Sequence, residues 1–211
     1  WFEAAIFAVC GRITGVYQGT FCINSVCHMF GKSTYDITST AKDNWVNALF
    51  TWGEGYHNFH HRFPNDYRNG VRWYQWDPSK WTIFLLKGLG LAENLKRTSW
   101  FTILSARLSA ENKRAEIQLA DLSKRWEQVA IIREKVRSEY DRLVALLREW
   151  EDRVKSYTLL KKERDVTSPQ ILKLSFERLR ETRKRFLEAR REWIDLVSHK
   201  IYFPHLIQIP A

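Results

Sequence analysis

The sequence is poor in cysteine. Its three cysteines, Cys10, Cys22 and Cys27, form no Cys-x-x-Cys pair, and all lie in an apolar first segment. They are typical of small buried side chains and do not indicate a disulfide framework or a zinc site. The sequence also lacks a signal-peptide pattern, and it opens at Trp1 rather than at a methionine. We therefore expect this chain to be a fragment of a longer protein.

No block of a single charge sign is present, although the net charge is +10. Residues 1–92 carry eight Lys/Arg and six Asp/Glu, and residues 93–211 carry 26 and 18. In the second part the two signs alternate at helical spacing, which is typical of a solvated helix surface. The composition therefore argues against a nucleic-acid partner.

Residues 1–30 are dominated by apolar and small side chains, interrupted by Arg12. An arginine at the bilayer centre costs about 2.5 kcal/mol or more. We therefore predict a break at residues 11–15, or Arg12 at an interface or facing protein, with the spanning stretch over 13–29. The alternative is a buried core helix of a soluble protein.

Polar side chains follow within this stretch. Asn24 and His28 are four residues apart, so a helix would present them on one face. Polar side chains at membrane depth are candidates for a functional site.

A histidine cluster lies farther along the chain, in the stretch GEGYHNFHHRFP (residues 53–64). If residues 57–61 are helical, His57, His60 and His61 lie within an arc of roughly 100°. Imidazole is the commonest protein metal ligand, so the cluster indicates a metal site, while a surface histidine-rich turn remains the alternative. We predict Asp43 as the N-cap of a helix running from residue 44 into this cluster.

Aromatic and basic residues alternate after the cluster, at Arg72, Trp73, Tyr74, Trp76, Lys80 and Trp81. Such a mixture is typical of a membrane–water interface. Asp77 and Pro78 open a short helix over 79–91, which is too short to span a membrane.

Heptad spacing dominates residues 100–164 and predicts one long amphipathic helix. Its apolar positions are Leu108, Ala115, Leu119, Leu122, Trp126, Val129, Val136, Tyr140, Leu143, Leu147, Trp150, Val154 and Tyr157, with breaks at Asn112 and Arg133. A turn at 165–169 leads to a second helix, with Ser168 as N-cap and Pro169 at its first position. The second apolar series is Leu172, Phe176, Leu179, Phe186, Trp193 and Val197. His199 and His205 stand alone and are not expected to bind a metal.

Taken together, the motifs Asn-Ser-x-x-His (24–28) and GEGYHNFHHRFP resemble those of membrane-bound fatty acid (acyl-CoA) desaturases of the delta-9, stearoyl-CoA type. Gly31, Tyr35-Asp36, Asp66-Tyr67, Arg72-Trp73 and residues 89–92 extend the resemblance, which covers about 13–97. Phe21 stands where some relatives have tryptophan.

The resemblance implies a di-iron centre held by nine histidines and one asparagine at the cytosolic ends of four spanning helices. His57, His60 and His61 look like the third histidine box, His28 like an additional ligand, and Asn24 like a ligand acting through water. The remaining histidines would lie upstream of Trp1. Glu54 and Asn58 are candidates for orienting the imidazoles, and Tyr17 and Phe21 for lining an acyl channel.

The expected activity is insertion of a cis double bond into a long-chain acyl-CoA or acyl lipid. It would use O2 and electrons from a small carrier of the cytochrome b5, ferredoxin or rubredoxin type. A related hydroxylase is one alternative, and an inactive membrane remnant carrying a coiled-coil module is another. We expect the fragment alone to be inactive.

The predicted fold is all-α and the predicted location is an integral membrane one, with the catalytic face in the cytosol. Residues 1–97 would form part of the membrane domain, with one spanning helix and interfacial helices. Residues 98–211 would form a long helical hairpin, or coiled coil, and residues 100–200 could self-associate.

Overall fold

The computed structural model describes residues 1–122, 129–163 and 168–200, except the side chains of His199 and Lys200. These ranges are mainly helical and contain no strand, which confirms the all-α prediction. The helices are α1 (Phe2–Met29), α2 (Trp45–Phe50), α3 (His57–Arg62), α4 (Pro78–Gly88), α5 (Trp100–Leu122), α6 (Val129–Lys162) and α7 (Pro169–Asp195), and a π-helical turn follows (Leu196–Lys200). The chain divides into two compact units, Trp1–Ala110 and Glu111–Ala211. The predicted domain boundary at 97/98 stays a prediction.

Helix α1 runs through Arg12 without interruption, so the predicted break at residues 11–15 is wrong. Gly11 and Gly15 each cost only about 1 kcal/mol relative to alanine in a helix interior. This is too little to break a helix of 28 residues. The helix extends roughly 42 Å at 1.5 Å per residue. Among the described residues it is the one helix long and apolar enough to cross a membrane, and nothing covers its apolar stretch.

Asp43 was predicted as the N-cap of the helix that follows, but the N-cap of α2 is the next residue, Asn44. Asn44 caps α2 by accepting a hydrogen bond from the Asn47 N–H at 3.0 Å. Helix α2 ends at Phe50 and does not continue into the histidine cluster, because Trp52 (φ 55°) and Gly53 (φ 101°) adopt left-handed backbone conformations. The cluster therefore has a short helix of its own, α3.

The second unit contains the predicted hairpin of α6 and α7. The two helices are antiparallel, because three ring pairs join them in opposite order: Tyr140–Trp193 at 6.0 Å, Trp150–Phe186 at 5.4 Å and Tyr157–Phe176 at 5.5 Å between centroids. Ile132 is buried beside Val129 and Val136, so the apolar seam continues past Arg133, where a break was predicted. Ser168 precedes α7 as predicted, whereas Trp126, His205 and most of the turn at 165–169 lie outside the described residues.

The single helix predicted over 100–164 is wrong. Glu111 of α5 accepts two hydrogen bonds from Arg190, at 2.6 and 2.7 Å, and one from the Trp193 indole at 3.0 Å. The Trp193 ring also contacts Tyr140 of α6. One straight helix would hold Glu111 and Tyr140 roughly 43 Å apart, so both could not contact the same tryptophan. Helices α5 and α6 therefore both pack against α7.

Candidate metal centre

The loop after α1 folds back onto the last turns of that helix. The Lys42 N–H donates to the Cys27 carbonyl at 2.7 Å, and Lys32 and Asp43 exchange two backbone hydrogen bonds. From α2, the Asn47 amide donates to the Cys22 carbonyl at 3.2 Å and to Cys27 Sγ at 2.9 Å. These bonds fasten the loop and α2 to the end of α1 that carries His28.

The Gly-Glu-Gly turn brings α3 to the same place. Gly53 has a positive φ, and a Cβ there would collide with the Asp77 carboxylate. At Gly55 a Cβ would collide with the Ala48 backbone, and the Gly55 carbonyl accepts the Asn44 N–H at 2.8 Å. The motif therefore needs glycine at both positions, once for backbone conformation and once for close approach.

The N-terminal part of α3 is hydrogen-bonded to the loop between α1 and α2. The Asn58 amide oxygen accepts the N–H groups of Tyr35 and Asp36, and its nitrogen donates to the carbonyls of Asp36 and Ala41. The Asp43 carboxylate accepts the Phe59 N–H at 3.1 Å, although Asp43 is distant in sequence. Burial raises the pKa of Asp43 to about 6, although hydrogen bonds from the Phe59 and Asn58 N–H groups and from the Thr34 side chain act to lower it.

Three imidazoles meet where α1 ends and α3 begins. The best-placed nitrogens of His28, His57 and His61 lie within 4.8 Å of one another, and the Nε2 atoms of His57 and His61 are 3.0 Å apart. The His28 ring centroid is 5.1 Å from that of His57 and 5.7 Å from that of His61. His60 is adjacent but outside this trio, its ring stacked 6.1 Å from His57. The structure thus brings together two motifs separated by almost thirty residues.

The environment of His57 and His61 favours the neutral form of their imidazoles. Burial, then the neighbouring His61, His28 and His60, lower the pKa of His57 to about 4. Burial, with His60 and His28 nearby, also lowers the pKa of His61. Neutral imidazole is the form that binds a metal, so the cluster can bind one near neutral pH without displacing protons from these two rings.

A metal ion fits the donor set. Among the described residues, His57 Nδ1 is buried and has no hydrogen-bond partner, which normally costs about 1–3 kcal/mol. Metal–nitrogen bonds of about 2.1 Å would separate tetrahedral ligand nitrogens by roughly 3.4 Å. Separations of up to 4.8 Å require only small side-chain rotations to reach that spacing.

Other predicted site residues contact different partners. The Asn24 amide donates to the Thr20 carbonyl of its own helix at 3.1 Å, so its predicted role through water stays a prediction. Tyr17 and Phe21 are exposed on α1, on the same face as Asn24. In the described part of the chain, the hydrogen bonds of Glu54 and Asn58 do not reach an imidazole. Glu54 accepts from Asn69 at 2.8 Å, and Asn58 binds the backbone of 36–41 and Tyr35.

The sequence prediction missed two residues that support the cluster. Thr40 Oγ1 lies 2.8 Å from His28 Nδ1, and nothing in the local sequence of Thr40 indicates this contact. Asp43 was identified as a cap because of its residue type, but it was assigned to the wrong helix. Its actual partner is separated from it by the whole of α2.

No protein-family model matches the chain. It is similar to several curated desaturases over about half of its length. It is 45% identical to acyl-CoA desaturase 1 of Saccharomyces cerevisiae over 118 residues, which are 56% of this chain and 23% of that protein. It is 51% identical to a probable acyl-CoA desaturase of Schizosaccharomyces pombe over 84 residues, 40% of this chain and 18% of that protein. The sn-1 stearoyl-lipid 9-desaturase of Anabaena variabilis is 41% identical over 91 residues, 43% of this chain and 34% of that protein.

Proposed function

We propose that this chain, whose curated relatives are acyl-CoA desaturases of the delta-9 type, is the C-terminal part of a membrane fatty acyl desaturase. The observation that carries the proposal is the convergence of His28, His57 and His61 nitrogens within 4.8 Å. The matched stretch spans about a fifth of the two yeast relatives. The remaining part of the site would therefore come from residues outside this chain.

His28, His57 and His61 would together hold one iron ion. His60 extends from the same short helix but lies outside the trio, which suits it to a second ion. Asn24 would contribute through water from one turn before His28. Bound iron would supply the activation of O2 that removal of hydrogen from an unactivated methylene requires.

The surrounding residues of this chain orient the imidazoles. Thr40 fixes His28 through Nδ1, which leaves Nε2 as the ligand atom. Asn58 and Asp43 anchor the first turn of α3, so His57 and His61 keep their spacing. Glu54 acts at longer range, by tying the Gly-Glu-Gly turn to Asn69.

The proposed substrate is a long-chain acyl-CoA or acyl lipid. Tyr17 and Phe21 lie on the same face of α1 as Asn24, which supports a place for both along the acyl chain. The proposed co-substrates are O2 and electrons from a small redox protein. With α1 spanning the bilayer, the imidazoles at its C-terminal end would lie at one membrane face, and the resemblance to membrane-bound desaturases supports the cytosolic face.

The proposal is tested in the complete protein by replacing His60 and, separately, His57 with alanine. Each variant should lose desaturation of a labelled acyl substrate while it still inserts into membranes. His205→Ala is the matched histidine control and should retain activity. Retained product formation in His60→Ala would show that His60 is not a metal ligand. A hydroxylated product from the wild-type protein would favour the hydroxylase alternative.

We further propose that the hairpin pairs with a second copy of the chain. Helix α7 exposes apolar side chains that its contacts with α6 do not cover, Ile171, Leu174, Leu187 and Ile194, which are 44–54% exposed. Light scattering of the complete protein should give a dimer mass that Leu187→Glu with Ile194→Glu lowers to that of a monomer. An unchanged mass would contradict the pairing.

A further inference from the structure

Residues 72–76 form an exposed aromatic tip. Trp73 is 85% exposed, Tyr74 59% and Trp76 44%. Arg72 lies over the Tyr74 ring at 5.9 Å, and the Trp76 ring contacts that of Trp81 at 5.6 Å. The tip therefore continues directly into α4.

The backbone on either side of the tip is held by two buried charged residues. The Asp77 carboxylate is fully buried and accepts the N–H groups of Asn69, Gly70 and Lys80 at 2.8–2.9 Å. The Lys80 ammonium is also buried and donates to the carbonyls of Gly70, Arg72 and Gln75. These bonds fix the backbone on both sides of residues 72–76. The large aromatic side chains of the tip are therefore held exposed to solvent, although water is a poor environment for them.

Helix α4 extends the apolar surface. Trp81, Phe84 and Leu85 are 43–66% exposed, and Leu89 just after the helix is 64% exposed. Spacings of three and four residues place them on one face. The helix has 11 residues, or about 16 Å, so it can lie along a bilayer but cannot cross one.

The charges of this surface fit a lipid headgroup layer. From residue 72 to residue 92 the single acidic residue is Asp77, and it is buried and hydrogen-bonded. The exposed charges are those of Arg72 and Lys87. An exposed set of tryptophan, tyrosine and cationic side chains with no exposed carboxylate matches the membrane–water interface.

Hydrogen bonds connect this surface to the end of α1. The Ser79 hydroxyl donates to the Trp52 carbonyl at 3.1 Å, which ties the start of α4 to the turn after α2. Helix α2 in turn is bound to Cys22 and Cys27 through Asn47. Cys22 is about 10 Å from the end of α1 along its axis. The tip and α4 therefore belong to the part of the unit that surrounds the C-terminal end of α1.

We propose that the aromatic tip and the apolar face of α4 insert into the headgroup layer of the bilayer at the C-terminal end of α1. Asp77 and Lys80 hold the tip in the inserting conformation. This surface would fix the height of the imidazole cluster relative to the lipid. The inference rests on the proposed membrane location of α1, and it does not depend on iron.

The test uses the full chain, labelled with fluorotryptophan, in vesicles of phosphatidylcholine with a minority of phosphatidylserine. Trp73→Phe assigns the Trp73 resonance, and Trp150→Phe assigns a control tryptophan that packs on Phe186 in the hairpin. A lipid carrying a nitroxide near the headgroup should broaden the Trp73 line and leave that of Trp150 unchanged. Broadening of Trp73 by an aqueous gadolinium chelate, without broadening by the lipid, would overturn the inference.

Lys80→Met tests the holding role, because it keeps the aliphatic stem and removes three hydrogen bonds. The Trp73 line should become more sensitive to the gadolinium chelate, while circular dichroism shows that the helices are retained. Unchanged sensitivity would overturn the role of Lys80. A nitroxide on Cys10, with Cys22 and Cys27 replaced by serine, reports α1 separately. If Cys10 is in lipid and Trp73 is in water, the insertion of the tip is wrong and the membrane location of α1 stands.

Discussion

The Nε2 atoms of His57 and His61 face each other at 3.0 Å, one turn apart on α3. Two neutral imidazoles at this distance can share one proton, with one ring donating its Nε2–H to the Nε2 of the other. His28 closes the third side of the arrangement, with its Nδ1 bound to the Thr40 hydroxyl. The cluster is thus compact, but its ligands suffice for one ion rather than two.

The chain alone should bind one metal ion and no di-iron centre. Four candidate imidazoles and one amide are available, whereas the resemblance implies ten ligands. Titration of the purified chain with Co²⁺ should give one equivalent by visible absorption, and His61→Ala should abolish it. Tight binding of two irons per chain would contradict this expectation.

Thr40→Val should weaken Co²⁺ binding roughly tenfold, since groups that orient ligand histidines typically contribute 10–100-fold to metal affinity. Thr40→Ser keeps the hydroxyl and should bind Co²⁺ as tightly as the wild-type chain does. Thr38→Val is the control, because the Thr38 hydroxyl binds Asp36 and not an imidazole. Equal affinities for Thr40→Val and Thr38→Val would show that the contact with His28 does not orient the ligand.

Asn58→Leu should destabilise the first unit by about 3 kcal/mol, because it removes four hydrogen bonds and leaves buried backbone groups without partners. Thermal unfolding in detergent, followed by circular dichroism, measures the loss. Asn65→Ala is the matched control, since Asn65 is exposed. Similar melting temperatures for both variants would contradict the anchoring role of Asn58.

Asp43 should make the first unit less stable as the pH rises from about 4 to about 6. Burial raises its pKa to about 6 from 3.8, so in this range the folded carboxyl is protonated and the unfolded one is not. The unfolded state then binds fewer protons, and stability falls with pH by an amount on the order of 2 kcal/mol. The lowered pKa values of His57 and His61 give the opposite slope, so the comparison is between the unchanged chain and Asp43→Asn. The free energies of unfolding of the two proteins, plotted against pH, should diverge in this range. Parallel curves would show that Asp43 is not the group responsible.

Arg190→Met should destabilise the hairpin unit by about 2 kcal/mol, because the bidentate pair with Glu111 is only 13% and 18% exposed. Lys184→Met should have almost no effect, since Lys184 and Glu188 are 4.0 Å apart and exposed. Urea unfolding of the two variants, followed by far-ultraviolet circular dichroism, makes the comparison. Similar urea midpoints for the two variants would show that the Arg190–Glu111 pair does not stabilise the contact between α5 and α7.

The sequence by itself determined the features that repeat along a helix. The run of apolar residues predicted the second half of α1, although not its unbroken course through Arg12. The spacing of three and four predicted the buried seam of α6 and α7, and the histidine spacing placed His57 and His61 on one face. Each pattern is local, because helical periodicity converts residue spacing into a shared face without reference to the rest of the chain. The Gly-Glu-Gly turn was not predicted, because the helix from residue 44 was expected to run through it. The need for glycine is visible only in the contacts of Gly53 and Gly55.

The tertiary structure alone decided which helices meet. In the folded chain, His28 lies beside α3, and the Asp43 carboxylate accepts a hydrogen bond from the distant Phe59 N–H. Both Glu111 and Tyr140 contact Trp193. Side chains such as those of Asp43 and Asn58 can accept from many backbone donors, so their sequence position does not specify the partner. The partner depends on the path of the loop between α1 and α2, and that path is fixed by hydrogen bonds between residues far apart in the chain.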